Sequence, residues 1–280
     1  MTRLGLIAGG GRLPLEIAEH CRRTGRPIFI VRLKGFADEP GLAAFDGADV
    51  GLAELGKCIR TLKVAACDAV CLAGIVTRPD FSKLTPDLRG IAALPGVISA
   101  ARKGDDGLLR FLVGEFEKEG FVVEGAEAVM RGLSLEAGPL GRHMPTPDQL
   151  ADAEQALEVA RAIGRLDVGQ GAVVCDGLVL AVEAQEGTDA MLARVAGLPA
   201  HLHGLPGDRR GVLGKAPKPI QETRVDLPTI GVATVTGAAE AGLAGIVGEA
   251  GRLLVLDRDE TIAQADRLGL FILAVEPKLR

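Results

Sequence analysis

Short apolar runs alternate with amphipathic stretches through the first half of the chain. LGLIA (residues 4–8) has the character of a buried strand, GGGRLP of a loop, LEIAEHCRR of a helix closed by Gly25, and PIFIVRL of a second strand. The alternation continues with helices near Glu54–Lys63 and Asp106–Glu119, and strands at Ala69–Leu72 and Phe121–Val123. Apolar strands separated by helical segments predict an α/β fold with a doubly wound parallel sheet, because helices must cover both faces of each strand. Such sheets bind ligands at the carboxyl ends of their strands, where AGGGR (8–12) and AGIVTRP (73–79) fall.

The pattern changes at GPLGRHMPTP (138–147), whose three prolines and two glycines mark a boundary. Thr146-Pro147-Asp148-Gln149 then opens a helix with an N-cap, a proline in the first turn and a capping box; it runs to about Gly164 and is expected to bridge two domains. In VVCDGLVL, Asp176-Gly177 between β-rich runs predicts a two-residue hairpin. A helix over Ala190–Val195, strands in GVLGK and TRVDLP, a helix over Ala238–Ala250, the strand LLVLD, a helix capped by Asp257 and Glu260, and the strand FILAV complete the expected order. The expected division is a parallel-sheet domain over 1–135, a linker and bridging helix over 136–164, and a mixed α/β domain over 165–280.

Composition narrows the function. The chain has 280 residues, eight Phe and neither Tyr nor Trp, which disfavours recognition by aromatic stacking. A net charge of −5 leaves no basic footprint for nucleic acid, so cation clusters are expected to serve small anions. The five Cys form no CxxC pair and are expected to be reduced, buried, cytosolic thiols. The apolar start is too short for a secretory segment, and no run reaches a membrane span, so any membrane role is expected to be peripheral.

The densest candidate chemistry is GKAPKPIQETRVDLP. Between Lys215 and Asp226 it carries Lys215, Lys218, Gln221, Glu222, Arg224 and Asp226, stiffened by Pro217 and Pro219. Cations suit an anion clamp and carboxylates a hard metal ion; a solvated surface loop is the alternative. EGTDAM (186–191) brings Glu186, Thr188 and Asp189 to the start of a helix, where they are either caps or part of a phosphate site. Gln170 sits in the glycine-flanked LDVGQG. At the N-terminus Gly9, Gly10 and Gly11 with Arg12 read as a phosphate cradle or as a tight turn. The third glycine of a dinucleotide fingerprint is missing and the second strand ends in Arg32 and Lys34, which disfavours NAD. Asp105 and Asp106 are helix caps or ligand contacts, and His201-x-His203 is taken as loop. Four scattered histidines build no triad, so proton chemistry falls to carboxylates, as in metal-assisted phosphoanhydride hydrolysis.

These motifs together resemble the LpxI-type UDP-2,3-diacylglucosamine hydrolases of Gram-negative lipid A synthesis. The resemblance rests on LGLIAGGGRLP, AGIVTRP, GDDGLLR with EKEGF, LDVGQGAVV, AVEAQEGTDAMLAR, KAPKPIQETRVDLPTIG and AGLAGIVGEAG, in that order over almost the whole chain, with departures at Gly214, Ile220 and Glu222. It implies a Rossmann-like N-terminal domain for the uridine-diphosphate end and a C-terminal domain for the acylated glucosamine. It also implies Mg2+-dependent cleavage to UMP and 2,3-diacylglucosamine 1-phosphate (lipid X), water attacking the β-phosphorus. On this footing Asp226 is the essential carboxylate, Lys215, Lys218 and Arg224 neutralise the diphosphate, Gln170, Thr188 and Asp189 orient it or its metal, and Gln221 is a further substrate contact. Asp226, Asp189 and Glu186 are the expected metal ligands, while Gly9, Gly10, Gly11, Arg12, Gly74 and Arg78 line the nucleotide side. The expected setting is the cytoplasm, with transient contact to the inner-membrane surface and a homodimer left open. A non-catalytic sugar-nucleotide or lipid-binding regulator and an NAD(P)-dependent oxidoreductase are the alternatives.

Overall fold

A computed structural model describes residues 2–77, 84–102, 105–130, 135–218 and 227–277; of Asp105 and Asp106 it gives the backbone alone. The described residues separate into two compact units, one over 2–130 and the other over 135–218 with 227–277. In the first unit the strands are β1 (Leu4–Ala8), β2 (Ile28–Leu33), β3 (Gly47–Val50), β4 (Ala69–Ala73) and β5 (Val122–Val123), all parallel in the order β3-β2-β1-β4-β5. The helices are α1 (Leu13–Thr24), α2 (Leu55–Val64), α3 (Leu88–Ala101), α4 (Asp105–Lys118) and the single turn α5 (Ala126–Val129).

Strand alternation divides the apolar residues between two faces. Ile7, Phe29, Val31 and Val70 share a core with Ile59 and Leu62 of α2 and Val113 and Phe116 of α4. The intervening residues Leu4, Leu6 and Ile30 are equally buried and face the other way, to the side of α1 with its buried Ile17, Ala18 and Cys21. The doubly wound parallel sheet expected from the apolar runs is present. Helix α1 ends as its sequence predicts, Gly25 taking a left-handed φ of 71°. Strand β3 and helix α3 were not expected. Helix α3 escapes helical periodicity because it is apolar nearly all round: Gly90 is its one buried residue, and Leu88, Ile91 and Ile98 stand in solvent.

The second unit contains β6 (Gly138–Leu140), α6 (Pro147–Arg165), β7 (Gly171–Cys175), β8 (Leu178–Val182), α7 (Gly187–Ala196), β9 (Val212–Lys215), β10 (Thr229–Ile230), α8 (Val232–Glu240), β11 (Gly245–Glu249), β12 (Leu254–Val255), α9 (Arg258–Leu268) and β13 (Phe271–Val275). Six strands form a mixed sheet in the order β6-β13-β11-β9-β7-β8, and β10 and β12 form a separate parallel pair. Helix α6 covers one face through Ala153, Leu157 and Ala160 against Ala172, Val212, Val247 and Phe271. The other face carries α7, α8 and α9, with Met191, Leu192, Val235, Ala238 and Ala265 packed on Val173, Leu213, Ile246 and Ile272.

Two local expectations are met in detail. Thr146 accepts from Gln149 N while the Gln149 side chain accepts from Thr146 N, so the capping box is formed. Asp176 and Gly177 take φ values of 51° and 77°, the paired positive angles of a tight hairpin between antiparallel β7 and β8.

Other expectations are corrected. Helix α6, expected to bridge two domains, is a layer of the second unit, and part of the expected linker is β6, paired antiparallel with β13. The helix expected over Ala238–Ala250 stops at Glu240, and Gly245–Glu249 is a central strand. Its glycines serve packing rather than helix: a Cβ at Gly245 would collide with the Phe271 ring, and one at Gly248 with Leu253. Asp257 takes a left-handed φ of 42° and makes no side-chain capping bond to α9. The strand expected in TRVDLP lies mostly outside the described residues, and the strand observed nearby is β10.

Candidate active site

Two groups of expected site residues sit at strand ends, one in each unit. In the first unit Gly9–Gly11 follow β1 and Gly74–Ile75 follow β4, the neighbouring strand where the winding reverses. The two crests are stitched together by backbone: Gly9 N donates to Ala73 O, Gly10 N to Ile75 O, and Ile75 N to Gly10 O, each at 2.8 Å. A Cβ on Gly9 would meet Ile75 O at 2.8 Å, and one on Gly74 (φ +95°) would meet Gly10 O at 2.7 Å, which is why these positions are glycine.

The phosphate-cradle expectation needs revision in consequence. Gly11 N donates to Asp38 Oδ1 at 2.8 Å, so the amides of Gly9, Gly10 and Gly11 are all engaged within the protein. Arg12 lies 3.8 Å from Glu39. The glycines make a close crossing of two loops, and their amides are not free to cradle an anion. Arg78 lies outside the described residues.

In the second unit the start of β7, the end of β8, the end of β9 and the first turn of α7 converge. Lys215, the last residue of β9, is 4 % exposed. Its Nζ donates to Thr188 Oγ1 at 2.8 Å and to Thr229 O at 3.2 Å. Thr188 Oγ1 in turn donates to Glu183 Oε1 at 2.9 Å. An ammonium has no lone pair, so it can only donate, and the single Thr188 proton goes to the carboxylate. The three side chains form one directed line, Lys215 to Thr188 to Glu183.

Glu183 is the residue that the sequence reading missed. It follows β8, is 6 % exposed, and its Oε2 is buried with no hydrogen-bond partner among the described residues. Burial of a carboxylate is costly, so such a group points to a purpose other than stability. A signal was available: Ala181 is buried, and alternation along LVLAVE puts Glu183 on the same side of the strand. Gly171 leaves the space that Glu183 uses, since a Cβ there would lie 2.5 Å from Oε2.

The remaining expected residues are distributed around this line. Gln170 O accepts from Ala216 N at 3.0 Å, next to Lys215 in sequence, and Gln170 Oε1 is buried without a partner among the described residues. Lys218 pairs with Asp167 at 2.7 Å, both side chains being largely buried. Asp189 is exposed in the first turn of α7. Glu186 is turned to Arg194 at 2.5 Å; its own backbone amide, then Arg194, hold its carboxyl below the ordinary value. This engagement weakens the case for Glu186 as a metal ligand. His203 is buried between the carbonyls of Gly204 and Leu198, in keeping with a structural role. Among the described residues no group of three or more His, Cys, Asp and Glu side chains converges for a metal. Gln221, Glu222, Arg224 and Asp226 lie outside the described residues.

The arrangement suits an anion held at a strand end by a buried ammonium backed by a carboxylate. It offers no thiol nucleophile: burial raises all five cysteine thiols, Cys175 to about 11 and Cys58 to about 12.

Comparison with known proteins extends over the whole chain. The LpxI N-terminal domain family matches residues 3–133, and the LpxI C-terminal domain family matches residues 136–273. The UDP-2,3-diacylglucosamine pyrophosphatase LpxI of Caulobacter vibrioides (strain ATCC 19089 / CIP 103742 / CB 15) is 63% identical over 280 residues, all of both chains. Among solved structures, CobK precorrin-6A reductase covers 100% of this chain and 90% of its own at 13% identity, but its TM-score of 0.32 is too low to bear on fold or function.

Proposed function

This chain belongs to the LpxI family, and we propose that it hydrolyses the pyrophosphate bond of UDP-2,3-diacylglucosamine, the substrate for which its Caulobacter relative is named. The observation that carries this within the fold is the buried ammonium of Lys215, held at the end of β9 by Thr188 and Thr229. A charge kept out of water in fixed geometry is suited to meeting developing negative charge on a diphosphate.

In this proposal water attacks the β-phosphorus, on the sugar side. The bond from that phosphorus to the bridging oxygen breaks, UMP leaves with the bridging oxygen, and 2,3-diacylglucosamine 1-phosphate is the second product. Asp226 takes the proton of the attacking water or orients it. Lys215, Lys218 and Arg224 offset the diphosphate charge, Lys218 sharing itself with Asp167. Gln170 and Gln221 orient the group directly, and Thr188 does so through its bond to Lys215. The nucleotide is assigned to the crest of the first sheet, where Arg12, rather than the glycine amides, supplies the charge.

Dependence on Mg2+ is part of the proposal. The oxygen donors fit a hard cation in kind, since Glu183 Oε2 and Gln170 Oε1 are buried oxygens without partners among the described residues. Asp226 and Asp189 are the ligands assigned to it, with Glu186 less suited. Bound there, the ion would neutralise diphosphate oxygens and polarise phosphorus.

Hydrolysis in H2(18)O tests the bond broken. Label in 2,3-diacylglucosamine 1-phosphate is the expected result; label in UMP would move the attack to the α-phosphorus. EDTA is expected to stop turnover, and full activity in EDTA would remove the metal.

The lipid substrate calls for interfacial contact. No helix among the described residues is long and apolar enough to cross a membrane, and the element that favours surface contact is α3, with Leu88 87% and Ile91 53% exposed. Vesicle flotation of the wild type beside Leu88→Glu tests it: loss of binding is expected in the variant.

A further inference from the structure

Glu183 is given no step in the reaction described above, where only its Oε2 is named as an oxygen suited to a cation, yet its Oε1 is the buried end of the line that reaches Lys215. Thr188 has one hydroxyl proton. With Glu183 Oε1 accepting that proton at 2.9 Å, the Thr188 lone pairs are turned to Lys215 Nζ at 2.8 Å. Without a strong acceptor behind it, the hydroxyl could rotate and present its proton elsewhere, and Lys215 would lose the acceptor that Thr188 holds for it beside Thr229 O. Charge-assisted hydrogen bonds at both ends make this orientation stiffer than a neutral partner would.

The setting is built for the purpose. Gly171 leaves room for the carboxylate, and Glu183 N donates to Gly171 O at 2.8 Å, extending the pairing of β7 and β8 to the site. Strand β7 pairs on its other side with β9, placing Gly171 opposite Lys215. Thr188 enters from the first turn of α7. Three separate elements therefore deliver one side chain each to a single line. A carboxylate that served folding alone would have both oxygens partnered; here Oε2 is buried and has no partner among the described residues.

We propose that Glu183 is a positioning residue for the hydrolysis: acting through the Thr188 hydroxyl, it fixes the Lys215 ammonium in the direction from which it meets the substrate diphosphate. This rests on the function proposed above. Because the effect passes through Thr188, Glu183 has no leverage on Lys215 once that hydroxyl is gone.

A double-mutant cycle on kcat and KM tests it, with Glu183→Gln, Thr188→Val, the double variant and Thr188→Ser, each checked for folding by circular dichroism and thermal midpoint. Each of the first two is expected to lower kcat on the order of 10- to 100-fold with KM within about threefold. The double variant should fall no more than about twofold below the slower single, since coupled residues are not additive. Thr188→Ser, which keeps the hydroxyl, should restore kcat to within about fivefold of wild type. Multiplying effects in the double variant, a loss confined to KM, or wild-type kcat in Glu183→Gln would overturn the inference. Should Glu183→Gln fail to fold, Thr188→Val must show the kcat loss alone, and wild-type kcat in it would be decisive against the line. Wild-type protein that binds substrate without releasing UMP would instead remove the proposed function, a result separate from any of these.

Discussion

Lys215 carries the heaviest demand of any single residue in the site. A charged side chain that is 4 % exposed must be compensated by its surroundings, and the compensation is visible in Thr188, Thr229 O and, one bond further, Glu183. Lys215→Met keeps the stem and removes the charge. Losing a charged hydrogen bond costs about 1.5–3 kcal/mol, so kcat/KM should drop roughly 10- to 150-fold; steady-state kinetics with retained secondary structure would check it, and a rate within about twofold of wild type contradicts the assignment. Elsewhere, Glu127 is a carboxyl raised above its ordinary value by burial, its own amide opposing only in part. A raised carboxyl weakens the fold once it ionises. Glu127→Gln should therefore raise the thermal midpoint at pH 7, and the gain should fade as pH falls from the raised native value towards about 4.5, below which the Glu is protonated in both the folded and the unfolded chain. An equal gain at pH 4 and pH 7 would show that the burial cost is not its cause. At this scale the sequence marks Lys215 and Thr188 well, because charged and hydroxyl residues stand out among apolar neighbours. It hides Glu183, since EAQEGTD offers two glutamates and only the strand's facing tells the buried one from the exposed Glu186.

The ends of elements, rather than their middles, position the chemistry. Both crests of the first sheet are glycine because two backbones cross in contact, and the same contact engages the loop amides that a glycine motif suggests for phosphate. Gly74→Ala would place a Cβ 2.7 Å from Gly10 O at a φ of +95°, and should destabilise the first unit by at least about 1 kcal/mol. Thermal or denaturant unfolding measures this, and unchanged stability would mean that the crossing can open without cost. Elements were legible where one face or one turn signal dominates, as in α1 with its glycine stop, α6 with its capping box and the Asp176-Gly177 hairpin. They were illegible where burial is complete or where apolar residues lie all round. AGLAGIVGEAG looks helical by its alanines and glycines, but Gly245–Glu249 is a strand whose small residues admit Phe271 and Leu253. Helix α3 was missed for another reason: Leu88, Ile91 and Ile98 are exposed while Leu94 and Val97 are half-buried, so apolar character does not tell its inner face from its outer one.

Across the whole molecule, each unit has its own core, and the cysteines divide between them: Cys21, Cys58, Cys67 and Cys71 in the first and Cys175 in the second, all buried. Burial also raises each thiol, so little thiolate forms at pH 8. A thiol reagent should leave native protein nearly unlabelled and react with all five groups in denaturant; rapid labelling of the native state would place at least one cysteine at the surface. The fold class was readable from alternation and the reaction class from the resemblance, because both are written in many positions at once. The substrate-facing geometry was not, since it depends on which side of a strand a residue takes. The measurement that bears most directly on the account is UMP release from UDP-2,3-diacylglucosamine by the purified chain. Steady, enzyme-dependent formation of UMP is the predicted result. Substrate binding without UMP would contradict it and leave a protein that holds the ligand but does not cleave it.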